Sequence, residues 1–294
     1  MARDPRADIL EDDLFPKKRA NIHRIHANPS PSTTVKQWMS GINNHQPVQL
    51  HKGKIWHFSD EEKRQLMLAT AAFTFALGLL MAGGILGISA QGGFEQWIAI
   101  VLLSMPVMLI AVGPAFILHE IGHKIVAKKY GCWAEFRVDP SGLKFGIAMA
   151  AIIGILFMAP GAVMVAGLVT RRQNGHIAIA GPAVNFGLFL IGIPIGGIIL
   201  GLTGATESAP YLEAGAINLK AMVFDIVYYW ILFNLVLGLF NLIPFGPLDG
   251  AKIKDWNEPV WFISFMTFIV IGYVWLDGIF NPIDDVALRI AEWF

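Results

Sequence analysis

The sequence predicts an all-α polytopic membrane protein of five to six transmembrane helices with a small membrane-associated β-hairpin. Three observations lead there. Only 15% of the 294 residues are charged and 55% are hydrophobic, whereas a soluble domain carries about 25% charged residues. The mean hydropathy is +0.55. The apolar residues fall in long runs, each able to cross a hydrocarbon core of about 30 Å as a helix. The formal net charge is zero, so nothing favours a nucleic-acid partner. Cys132 is the single cysteine, which excludes an intrachain disulfide.

Residues 1–58 differ from the rest. They are polar, mixed in charge, and contain "NPSPSTT" and "NHQPVQLHKG". This composition predicts a largely extended or loosely folded tail. His23, His26, His45, His51 and His57 lie here. With no regular ligand spacing and no cysteine among them, they read as solvated surface residues and not as a second metal site.

The membrane domain occupies 59–294. "FSDEEKRQL" predicts a helix start, with Ser59 as cap and Glu62 completing a capping box. The helix runs into a first span over 65–89, too far into the chain for a cleavable signal peptide and so expected to act as its own insertion signal. A second span opens at Ile98 and continues through Leu118, with kinks expected at Pro106 and Pro114. "KKYGCWAEFRVDPSGLKFG" follows. Asp139-Pro140-Ser141-Gly142 is turn chemistry between runs of strand character, which predicts the hairpin near 131–146. Residues 147–172 are apolar enough to span, but Pro160-Gly161 interrupts them. Further spans are expected at 177–202, 221–243 and 259–276, and "NPIDDVALRIAEWF" as a short amphipathic helix on the membrane.

Charge bias decides the ambiguous segment, because Lys and Arg near spans prefer the cytoplasm. Lys63 and Arg64 precede the first span, Lys124, Lys128 and Lys129 end the second, and Lys252 and Lys254 follow the fourth. The loop 203–219 carries neither Lys nor Arg. These agree with a cytoplasmic N-terminus if 147–170 does not cross, which favours five spans plus a re-entrant or interfacial segment.

"AVGPAFILHEIGHKIVAKKY", residues 111–130, places His119, Glu120 and His123 in an apolar stretch. On a helix, positions i and i+4 share one face. His119 and His123 can then bind one Zn²⁺ while Glu120 acts on a water as general base. With eight His and ten Glu in the chain, the His-Glu-x-x-His pattern should arise by chance in about one chain in a hundred. An ionisable group at bilayer depth is usually functional. The competing reading makes the histidines interfacial, with Glu120 paired to a lysine. A third ligand is needed, and Asp249 is the candidate. It sits in "FNLIPFGPLDGAKI", where Pro244, Gly246 and Pro247 force irregular backbone, tolerated at membrane depth only inside protein or beside water. An ordinary loop aspartate is the alternative there.

"HEIGH", "GPAVN" and "NLIPFGPLDG", in that order, resemble the site-2 proteases, intramembrane zinc metalloproteases; "APGAV" and "KKYGCWAEF" are also similar. The likeness covers about 65–275. It implies one zinc per chain held by His119, His123 and Asp249, Glu120 as catalytic base, and Asn185 of "GPAVN" near the active site, positioning substrate or the developing oxyanion. Helix packing is the other reading for Asn185. The resemblance further implies peptide-bond hydrolysis in transmembrane segments of membrane-tethered substrates, at a site open to the cytosol of a multi-pass cell-membrane protein. A zinc-bound escort or pseudoprotease is the non-catalytic alternative. A transporter is disfavoured because the sequence shows no internal repeat. The partner of the tail is unknown.

Overall fold

The computed structural model describes residues 54–294 apart from 157, 159 and 214. The tail expected over 1–58, with His23, His26, His45 and His51, therefore lies outside the described residues except for its last five positions.

Helix α1 (Asp60–Met81) starts at Ser59, whose Oγ accepts from the Glu62 amide at 3.1 Å. The capping box is only half made, because the Glu62 carboxylate turns inward to meet Lys124 and the Phe136 amide. The helix is shorter than the sequence suggested. Gly83 and Gly84 adopt positive φ and turn the chain before the single-turn α2 (Gly87–Ala90). Helix α3 (Phe94–Lys129) is one unbroken element of 36 residues, with Pro106 and Pro114 inside it. At 1.5 Å per residue it is about 54 Å long, well beyond the roughly 30 Å of a hydrocarbon core.

The small antiparallel sheet is present, but its second strand lies further along the chain. β1 (Trp133–Val138) pairs with β2 (Gly161–Ala166), with Phe136 opposite Val163. Between them stands α4 (Pro140–Ile152). The Asp-Pro-Ser-Gly stretch starts this helix instead of closing a hairpin: Asp139 Oδ1 accepts from the Ser141 amide at 2.9 Å, and Pro140 occupies the first turn. A cap followed by proline suits a helix N-terminus as well as a turn. Residues 147–170 thus hold the end of α4 and the returning strand and form no helix long enough to cross a membrane, while Arg171 and Arg172 already begin the next helix.

Helix α5 (Arg171–Thr203) opens with a full capping box from Thr170 and Gln173. A two-residue hairpin of β3 (Leu212–Glu213) and β4 (Ala216–Ile217) precedes α6 (Leu219–Asn241). Then come α7 (Asp249–Trp256) and α8 (Glu258–Leu276). The chain closes in a π-helical turn (Pro282–Ala287) and α9 (Leu288–Ala291). The closing segment is helical as expected, and buries Ile283, Ala287 and Ala291 in the core shared with α5.

Five helices, α1, α3, α5, α6 and α8, are long and apolar enough to cross a membrane. One core lies among α1, α3, β1 and α4, and a second among α5, α6, α7 and α8. Leu102, Leu109, Ile110, Leu190, Ile191 and Ile263 face outward, which suits contact with hydrocarbon and not with water. Near the C-terminal end of α3, α5 packs on one side and α7 completes the corner.

Candidate metal centre

His119 and His123 lie one turn apart on α3, and α7 begins at Asp249, so the three groups meet where the two helices converge. His123 Nε2 is 3.0 Å from Asp249 Oδ2, His119 Nε2 is 3.4 Å from the same oxygen, and the two Nε2 atoms are 3.0 Å apart. All three side chains are buried. They form a group able to hold one metal ion among the described residues, with ligand atoms within 4.8 Å of one another.

Each imidazole is oriented from behind. His119 Nδ1 is 2.5 Å from Asn185 Oδ1, and His123 Nδ1 is 2.7 Å from the Ile177 carbonyl. The Asn185 amide nitrogen donates to Ala115 O at 3.2 Å and to Asn234 Oδ1 at 3.0 Å, so its oxygen must face His119. Asn234 in turn donates to Trp230 O at 2.8 Å. These acceptors place a proton on each Nδ1 and aim both Nε2 lone pairs at the Asp249 carboxylate. Two lone pairs and an anion at about 3 Å repel one another unless a cation or an extra proton lies between them. Two imidazoles and a carboxylate are a zinc donor set that leaves one position open. The residues present fit that ion.

Asp249 has a second partner: Lys252 Nζ donates to its Oδ1 at 3.0 Å. Gly250 is required beside Asp249. A Cβ there would stand 2.0 Å from the Leu242 carbonyl, so only glycine lets α7 begin against the end of α6. Gly181 of α5 is the other close approach: a Cβ would stand 2.5 Å from both His119 Nε2 and His123 Nε2.

Glu120 is not among the three ligands. Its Oε2 accepts from the Val163 amide of β2 at 3.1 Å. It shares with His119, His123, Asp249 and Lys252 the wall of a cavity of about 280 Å³, and Gly161–Val165 of β2 form another wall. Asn185 does not line that cavity. Its side chain is fully buried and its amide is committed to His119, Ala115 and Asn234.

A profile of Peptidase family M50 matches residues 107–255, about half of the chain, a stretch that includes His119, Glu120, His123, Asn185 and Asp249. The chain belongs to this family. M50 is the site-2 protease family, so the resemblance read from the three motifs holds, and the protein is a multi-pass membrane member of a zinc metalloprotease family. "Putative zinc metalloprotease MJ0611" of Methanocaldococcus jannaschii is 36% identical over 174 residues, covering 59% of this chain and 81% of that protein. "Zinc metalloprotease MJ0392" of the same organism is 30% identical over 180 residues, 61% of this chain but 39% of its own length. "Putative zinc metalloprotease YwhC" of Bacillus subtilis is 30% identical over 159 residues, 51% of this chain and 68% of its own. No solved structure matches.

Sequence reasoning left four participants of this M50 site unassigned: Gly181, Asn234, Lys252 and the β2 edge. Asn234 carried a signal, since it is a lone asparagine inside "YYWILFNLVLGLF", and polar groups at that depth are rarely idle. Lys252 carried one too, three residues after Asp249. The β2 edge carried none, because a pairing partner distant in sequence leaves no local mark.

Proposed function

We propose that this protein hydrolyses peptide bonds within transmembrane segments of membrane-tethered protein substrates, using one zinc ion held by His119, His123 and Asp249. The observation carrying the reading is the convergence of two Nε2 lone pairs and one carboxylate with a separate glutamate, Glu120, on the cavity wall. A purely structural zinc site would not need Glu120 there. Zinc so placed supplies Lewis-acid polarisation of a carbonyl and lowers the pKa of water to about 7. Glu120 takes the proton of the attacking water and hands it to the leaving amine, a role worth about 10²–10⁴-fold in rate. Asn185 keeps the His119 ring in register and is a positioning residue.

A substrate helix must be unwound before its backbone can react. One edge of the small sheet is closed: Glu62 Oε1 accepts from the Phe136 amide at 3.1 Å and Gln65 Oε1 from the Val138 amide at 2.9 Å. The other edge, β2, lines the cavity with Glu120. An extended substrate added to β2 would pass the ligand cluster with its amides satisfied.

The charge bias supports a site that opens to the cytoplasm, with the 1–58 tail on the same side. Thiol labelling of cysteines introduced at 207 and 254 tests this; reaction of the 207 site from the cytoplasmic side would invert the orientation. The function is tested with Glu120→Gln in the purified full chain. Zinc content should match wild type while cleavage of a membrane-embedded reporter disappears. Wild-type cleavage by that variant would refute the assignment.

A further inference from the structure

A second cavity, of about 690 Å³, lies at the opposite end of the helices, bounded by the ends of α1 and α6, the first turns of α3 and the 204–218 loop. Ser104 in its wall and His119 are 15 residues apart on α3, so the two sites are separated by about 22 Å along the helix.

Three features give this cavity a chemistry. The first is Ser104. It is 1% exposed, lines the cavity, and its hydroxyl has no hydrogen-bond partner among the described residues. Several other hydroxyls in these helices bond back to their own backbone: Thr70 to Leu66 O, Thr203 to Ile199 O and Thr267 to Ile263 O. A buried hydroxyl without a partner is destabilising. The second is Asp225, which accepts from Tyr211 at 2.7 Å and Ser208 at 3.5 Å but pairs with no Lys, Arg or His among the described residues. Those hydroxyls fix the carboxylate and leave its charge uncompensated. The third is the surround. Residues 204–218 contain Glu207 and Glu213 and no basic residue. Lys220 turns its ammonium toward Gly204, at the end of α5. Tyr229 adds an aromatic wall, and Gln91 and Gln96 add amides.

We propose that this cavity binds a ligand bearing a primary ammonium group. The ammonium would pair with Asp225, a neighbouring hydrogen-bonding atom would meet Ser104, and Tyr229 would offer a π-face to the cation. Asp225 is the one carboxylate among the described lining residues, a poor site for a divalent metal, which demands several oxygen ligands at close range. The volume matches cavities that take small organic molecules. Such an ammonium can come from an aminophospholipid headgroup or from a soluble amine.

The test uses the full chain in nanodiscs and native mass spectrometry with equilibrium binding. One arm compares discs of phosphatidylglycerol alone with discs containing phosphatidylethanolamine; the other adds free ethanolamine to phosphatidylglycerol discs. Retention of phosphatidylethanolamine identifies the lipid source, and saturable binding of free ethanolamine the soluble one. Asp225→Asn should weaken binding about tenfold or more. Ser104→Ala should weaken it severalfold while leaving Tm at or above wild type, because it deletes an unpaired buried hydroxyl. No amine bound in either arm, equal retention of phosphatidylglycerol, or unchanged binding in both variants would overturn the proposal. Should Asp225→Asn fold poorly, Ser104→Ala alone still decides, since a lower Tm with unchanged affinity would make Ser104 a packing residue.

Discussion

Gly181→Ala separates the fold from the metal centre. Gly181 lies inside α5, where alanine favours the helix by about 0.8–1 kcal/mol over glycine. Local propensity therefore argues that the variant is at least as stable. The site argues otherwise. The added Cβ would stand 2.5 Å from the Nε2 of both His119 and His123, where ordinary contact begins at 3.4 Å. Relief requires a shift of about 0.9 Å, whereas zinc sites hold their ligand distances to about ±0.2 Å. The nitrogens that must move are the two that face Asp249. His119 is held from behind by Asn185 and His123 by the Ile177 carbonyl, so neither ring can retreat without losing its orienting bond. Loss of such a partner alone lowers metal affinity about 10–100-fold, and here both rings are affected. The expected result is a folded protein with wild-type helicity whose zinc is lost at chelator concentrations at least a hundredfold lower. Metal content after graded chelation measures this. Wild-type zinc retention by Gly181→Ala would refute the close-packed arrangement of α5 against the two imidazoles.

Three further outcomes follow from the same geometry. Asn185→Ala should lower zinc affinity about 10–100-fold through loss of the bond to His119 Nδ1, and competition with a chelator would read it; an unchanged affinity would make Asn185 a packing residue. Val165→Pro removes a β2 amide that, by alternation with Val163, faces away from β1. It should spare folding and zinc but suppress cleavage, as proline is tolerated at a strand edge, and wild-type turnover would exclude strand addition there. Glu62 and Lys124 form an ion pair with both side chains 1% exposed. Replacing either alone should destabilise by about 3–5 kcal/mol, and the double replacement by less than the sum; additive losses in thermal unfolding would show that the pair is not coupled.

The motif residues were legible because their chemistry depends on local spacing. His119 and His123 share a helix face by the period of the helix alone, and Glu120 falls beside them for the same reason. Asp249 was legible more indirectly, from the helix-breaking residues that precede it. The five spans were readable because apolar length is a local property, and 147–170, which charge bias disfavoured as a sixth, holds no helix long enough to cross. The Asp139–Gly142 turn was misread because aspartate and proline satisfy a helix N-terminus as readily as a β-turn. Only the distant strand 161–166 settles which is used. Asn185 was expected near the active site, positioning substrate or the oxyanion, whereas its side chain is bonded to His119 and does not line the cavity. Its oxygen faces His119 because Ala115 and Asn234, on two other helices, claim its nitrogen.

What this sequence determined by itself was therefore everything decided within a few turns of chain: which segments are apolar enough to enter a bilayer, which side chains share a helix face, and which residues carry metal-binding chemistry. Tertiary structure decided how those pieces meet. It brought Asp249 to the two imidazoles, fixed their tautomers through Asn185 and Ile177, closed one edge of the sheet with Glu62 and Gln65, and set β2 along the cavity with its Val163 amide bonded to Glu120. The physical reason is range. Hydropathy and helical periodicity act between near neighbours, whereas ligand geometry and edge pairing join residues tens of positions apart, whose placement is set by packing.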